Sequence, residues 1–132
     1  MLRSAAMTGA MRRAVLILTV CAVIGCRGGR EHTFRAEVKQ VPLPGNSELF
    51  LHHEAIDDWT SRDGEVMGMD SMTMGFAVAD GVSLEGIQPG DKVEATLRVD
   101  WTARMPVEIT ALRELPPDTR LVFREARPPR NP

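Results

Sequence analysis

Three methionines fall within MDSMTMGFAV, positions 69–78, and a histidine pair, His52 and His53, stands about twenty residues upstream. Thioether sulfur is a soft, neutral donor that selects Cu(I) over hard ions. It also carries less risk of disulfide formation than a thiolate in an oxidising compartment. A neutral imidazole adds a stronger donor. In an extended segment Met72 and Met74 share one face, about 6.5–7 Å apart along the backbone. Flexible thioether arms can converge from there on one ion, and His53 on a neighbouring strand can close the set.

Packing is the competing account. Methionine fills irregular core gaps, Met72 and Met74 alternate with Phe76 and Val78, and a histidine on an apolar face is often simply buried. The clustering tips the balance. Met67, Met69, Met72 and Met74 are four of the five methionines after Cys26. A need for soft ligands accounts for that better than packing does, since small cores draw more on leucine and valine.

The elements that must hold these groups read as strands. HTFRAEVKQV (32–41) places Phe34, Ala36 and Val38 on one face. LFLHHEAI (49–56) places Leu49, Leu51 and His53 together, with His52 opposite. SMTMGFAVA (71–79) carries the methionine pair, and KVEATLRVDW (92–101) alternates along its whole length. PVEITAL (106–112) is a fifth, with Val107, Ile109 and Ala111 on one face. This period of two is the signature of half-buried strands. PLPGNSE (42–48) is a turn region, and DDWTSRDGEVMG (57–68) is an exposed loop with Asp63-Gly64 as its turn signal. DGVSLEGIQPGD (80–91) is a long turn segment. Five short strands without a long helix predict an all-β fold, a small five-stranded barrel whose closure hides its edges. The polar, proline-rich C-terminal tail is expected to be disordered.

The N-terminus carries a different message. MLRSAAMTGAMRR holds Arg3, Arg12 and Arg13 and no acid, and AVLILTVCAVIG (14–25) is nearly all apolar. A basic region before a short apolar run is a signal-peptide pattern. Twelve residues are too few for a stable transmembrane helix, which needs about 20. Either Met1 or Met11 could be the start. Val23-Ile24-Gly25-Cys26 resembles the lipobox of bacterial lipoproteins, in which the cysteine becomes the first mature residue and carries lipid. The expected division is a lipoprotein signal peptide at 1–25, a flexible tether at 26–31, the barrel at 32–115 and the polar tail at 116–132. The expected location is the periplasmic side of the cell envelope, with the membrane a partner through the lipid on Cys26.

The chain has 132 residues, 16 basic and 18 acidic, with a formal net charge of -2. Three basic residues and no acid precede Cys26, so the mature part holds 13 basic against 18 acidic, a net of -5. That balance argues against a nucleic-acid partner, which calls for a basic footprint. No Gly-rich phosphate loop, CxxC or HExxH occurs. Nothing in the motifs points to an enzyme.

LHHEAI, MDSMTMGFAV and LEGIQPGDKVEATLRV together resemble the periplasmic copper- and silver-binding domains of the CusF type, over about Phe34 to Leu112. The resemblance implies an OB-type barrel that binds one Cu(I) or Ag(I) ion as a metallochaperone or part of an efflux system. It implies an imidazole ligand at His53 and thioether ligands at Met72 and Met74. In the best-known branch a tryptophan three residues before the first of these methionines caps the ion. Here that position is Met69, either a third sulfur or a shield, and Trp59 could fold over the site instead. The acceptor would be an efflux-system or oxidase-assembly protein. A structural or adaptor lipoprotein with a methionine-rich core and no metal is the alternative.

Overall fold

The computed structural model describes residues 29–130. The expected signal peptide, Cys26 and most of the expected tether lie outside the described residues. Five strands follow in order: β1 (Arg30–Gln40), β2 (Leu49–His53), β3 (Met72–Val78), β4 (Lys92–Val99) and β5 (Val107–Glu114). They close into a barrel in the order β1-β2-β3-β5-β4. This is the expected all-β, five-stranded OB-type barrel. Arg30 and Glu31, placed in the tether by the sequence, already belong to β1.

β1 is long because it serves two neighbours. Its first part, from Arg30 to Glu37, pairs antiparallel with β4, and Ala36 to Gln40 pairs antiparallel with β2. The β1–β2 register shifts between Val38 and Gln40, a bulge that bends the strand. β3 and β5 close the barrel through a short parallel pairing, Ala77 with Glu108 and Val78 with Ile109. Before β4, Gly90 has φ +94°, which glycine alone adopts readily, and its N–H donates to the Val38 carbonyl at 2.7 Å.

The core follows the alternation of the sequence. Phe34, Ala36, Val38, Leu49, Leu51, Phe76, Val93, Ala95, Leu97, Val99 and Ile109 are buried, with Ile56 from the loop after β2. β5 departs from simple alternation. Thr96 pairs with Ala111 and Leu97 with Ile109, so Thr110 is an extra residue and the face reverses. Ala111, expected inside, is exposed, while Leu112 packs against the core.

The loop after β2 folds back on itself. Ile56 and Met69 exchange backbone hydrogen bonds at 2.9 Å, and Met67 N–H donates to the Trp59 carbonyl at 2.9 Å. Trp59 packs against the core and Thr60 is buried, so this segment is less exposed than its composition implied. The tail is a second correction. After β5 the Lys92 ammonium donates to the carbonyls of Pro117 and Thr119, and the chain then runs back to Asp57, Asp70 and Ser71. Polar composition suggested disorder, but here the polar groups find fixed partners.

Candidate metal centre

His53 ends β2 with its side chain inside the barrel, wholly buried. Its Nδ1 lies 2.7 Å from the carbonyl oxygen of Glu54. A carbonyl only accepts, so Nδ1 carries the proton and Nε2 holds a lone pair. That Nε2 is buried with no hydrogen-bond partner. Phe34 and Phe76 flank the ring, with centroids 5.5 and 5.9 Å away. Burial pushes the His53 pKa down, partly offset by the Glu54 carbonyl and reinforced by nearby His52. The imidazole is therefore neutral at pH 7, with one free donor atom in an apolar setting.

The methionines come to it through strand register. His53 pairs directly with Met72, and Leu51 with Met74. Directly paired residues point to the same side of a sheet, with Cβ atoms roughly 4.5–5.5 Å apart. His53, Met72 and Met74 thus share a face, as their parity implied. Met74 packs against the core, while Met72, at the end of the strand, is 41% exposed. Met69 is held beside Ile56 by their paired backbone hydrogen bonds and packs partly against the core. One end of the group is buried and the other reaches solvent.

The other candidates fall elsewhere. His52 pairs with Thr73 on the opposite face, and its Nδ1 lies 2.7 Å from the Thr73 hydroxyl. The Glu54 carboxylate pairs with Arg35 at 2.7 Å, so only its backbone carbonyl serves His53. Trp59 lies tilted against His32, 5.5 Å between centroids, and meets Trp101 edge-on at 6.3 Å. Phe34 and Phe76, not Trp59, are the aromatic neighbours of His53.

Sequence reasoning passed over His32. It is buried, its Nδ1 lies 3.2 Å from Asp58 Oδ1, and its Nε2 has no partner. Its parity with Phe34 and Ala36 was the available signal. Four residues of strand, about 13 Å, separate it from Ala36, which pairs with His53. It belongs to the Trp59 cluster, apart from the methionines.

Among the described residues, no three of His, Cys, Asp and Glu come together as a metal cluster. The donor-bearing side chains that share the face of His53 on the neighbouring strand are those of Met72 and Met74. The donor set is neutral and soft, which fits a monovalent d10 ion and not Mg(II) or Ca(II), which require oxygen ligands.

A family model described as copper-binding periplasmic protein CusF matches residues 31–114. Among solved structures, apo-CusF residues 6–88 from Escherichia coli aligns with 70% of this chain and 96% of its own length, at 14% identity and a TM-score of 0.47. No curated protein matches the sequence.

Proposed function

The chain belongs to the CusF family, whose model it matches over residues 31–114, and on that premise we propose that it binds one Cu(I) or Ag(I) ion in the extracytoplasmic space. His53 Nε2 and the sulfurs of Met72 and Met74 are the ligands, with Met69 as a third sulfur. The observation that carries this reading is the buried, unpartnered His53 Nε2, on a residue paired in register with Met72. A buried polar atom without a partner is costly, and a soft cation bound there would satisfy it.

Binding, not turnover, is the task. An imidazole and thioethers stabilise the monovalent state of copper and leave little room for a substrate. The exposed Met72 gives the ion a route in and out, as delivery, tolerance or efflux requires. A lipid on Cys26 would keep the barrel at the membrane, within reach of an efflux-system or oxidase-assembly acceptor.

Titration of the purified chain with Ag(I) tests the reading. One ion per chain should bind, shifting the methyl resonances of Met72 and Met74, and Zn(II) should not compete. Absence of a 1:1 complex, or equal uptake of Zn(II), rules the proposal out in favour of a structural or adaptor barrel.

A further inference from the structure

The C-terminal segment beyond the family match makes a concentrated set of contacts. Arg124 donates to both oxygens of Asp57, at 2.9 and 2.8 Å. The Ser71 N–H donates to the Arg124 carbonyl at 2.9 Å, and the Arg124 N–H donates back to Ser71 Oγ at 2.9 Å. The Ala126 N–H donates to Asp70 Oδ1 and the Arg127 N–H to Asp57 Oδ1, each at 2.7 Å. Phe123 packs edge-on against His52, 4.1 Å between centroids, and His52 in turn bonds Thr73. The partners Asp70, Ser71 and, through His52, Thr73 are the residues interleaved with Met69, Met72 and Met74.

Close approach is built in. Gly68, next to Met69, has φ +71°, and a Cβ there would lie 2.7 Å from the Ala126 Cβ. Asp70 and Ser71 stand between the Ile56–Met69 bridge and the first residue of β3. The backbone hydrogen bond of the Ser71 N–H goes to the tail. A cleft of about 390 Å³ lined by His52, Asp70, Ser71, Phe123, Arg124 and Glu125 lies along the seam.

We propose that residues 123–127 are a positioning strap for the methionine segment. Methionine has three rotatable bonds and does not fix its own sulfur. The strap fixes the backbone on which Met69 and Met72 are carried, and so sets how long an ion is held. Its lifting frees the exposed end of the site for transfer. Arg124 is the main positioning residue, and Phe123 the second. The inference rests on the metal-binding reading above, and adds to it a control element outside residues 31–114.

The test follows Ag(I) release from the full chain into a competing chelator, alongside exchange of the Ser71 amide in the metal-free chain. Arg124→Ala and Phe123→Ala should speed Ser71 exchange and accelerate Ag(I) release about 10-fold, the scale usual for residues that orient ligands. Arg124→Lys, which keeps charge but not the paired geometry, should fall between. Arg113→Ala removes an exposed ion pair with Glu94 away from the site and should leave release unchanged. Should Arg124→Ala fail to fold, Phe123→Ala still answers, because it leaves the Arg124–Asp57 pair in place and removes only the contact with His52. Wild-type release rates in the strap variants that fold overturn the strap while leaving metal binding intact. A wild type that takes up no Ag(I) overturns both.

Discussion

At the scale of single residues, ligand and filler make opposite demands on the same side chains. Met72→Leu and Met74→Leu nearly conserve volume, so each should cost less than about 1.5 kcal/mol of stability. As ligands, the same residues are not replaceable. Both variants should stay folded by thermal melting and lose Ag(I) affinity by at least an order of magnitude. Unchanged affinity would return the methionines to the core. The histidines give a sharper contrast. His53→Ala removes a buried, unpartnered nitrogen and should abolish binding, whereas His52→Ala removes an outward-facing ring and should not. Phe123 leans on His52, so His52→Ala should instead speed release modestly through the strap. Met69 is separable by counting sulfurs. X-ray absorption of the Cu(I) form should show three in the wild type and two in Met69→Leu. Two in both would make Met69 a shield.

Among the elements, the strap answers most directly to pH. The Arg124 guanidinium, with the Arg127 N–H, holds the Asp57 carboxyl down to about 2, below its ordinary range. A carboxylate with a lower pKa folded than unfolded lends its full stabilisation above the unfolded value, and loses it as pH falls toward the folded value. The Arg124–Asp57 contact should therefore hold from neutral pH to about pH 4 and fail from there down to about 2. Protection of the Ser71 and Ala126 amides, measured against the intrinsic exchange rate at each pH, should fall in that window before the barrel itself opens; loss of barrel and strap together would contradict it. The strap was also the least legible element. RLVFREARPPR offers no periodicity, and its partners Asp57, Asp70 and Ser71 lie more than fifty residues away in sequence. Alternation could reveal the strands because each buries one face. It failed where a bulge broke the period: Thr110 turns Ala111 outward and Leu112 inward. Parity also placed His53 with Met72 and Met74, because cross-strand pairing preserves faces. It could not say that Glu54 would offer its carbonyl and not its carboxylate, nor that Trp59 would settle on His32, since both depend on loop paths.

On the scale of the whole molecule, the question is what the barrel is attached to. Among the described residues no helix is long and apolar enough to cross a membrane. The proposed attachment rests on Val23-Ile24-Gly25-Cys26, ahead of the first strand residue, Arg30. Only three residues separate Cys26 from β1, so a lipid there would hold the barrel close to the bilayer surface. One acyl chain binds a membrane marginally and reversibly, whereas two or more anchor firmly. The exposed rim at Met72 would then exchange its ion with acceptors confined to the same surface. Cys26→Ser should remove the lipid mass, and the protein should move from the membrane fraction to the soluble one. Ag(I) stoichiometry should stay at one per chain, because Cys26 is not among the proposed ligands. By resemblance to Gram-negative lipoproteins, Arg27 in place of aspartate after the cysteine would not hold an anchored form at the inner membrane, and the outer membrane is the expected destination where the host has one. Separating inner from outer membranes by density reads that destination directly. A wild-type protein that is soluble and carries no lipid mass would remove the anchor and leave the barrel free to diffuse to its acceptor.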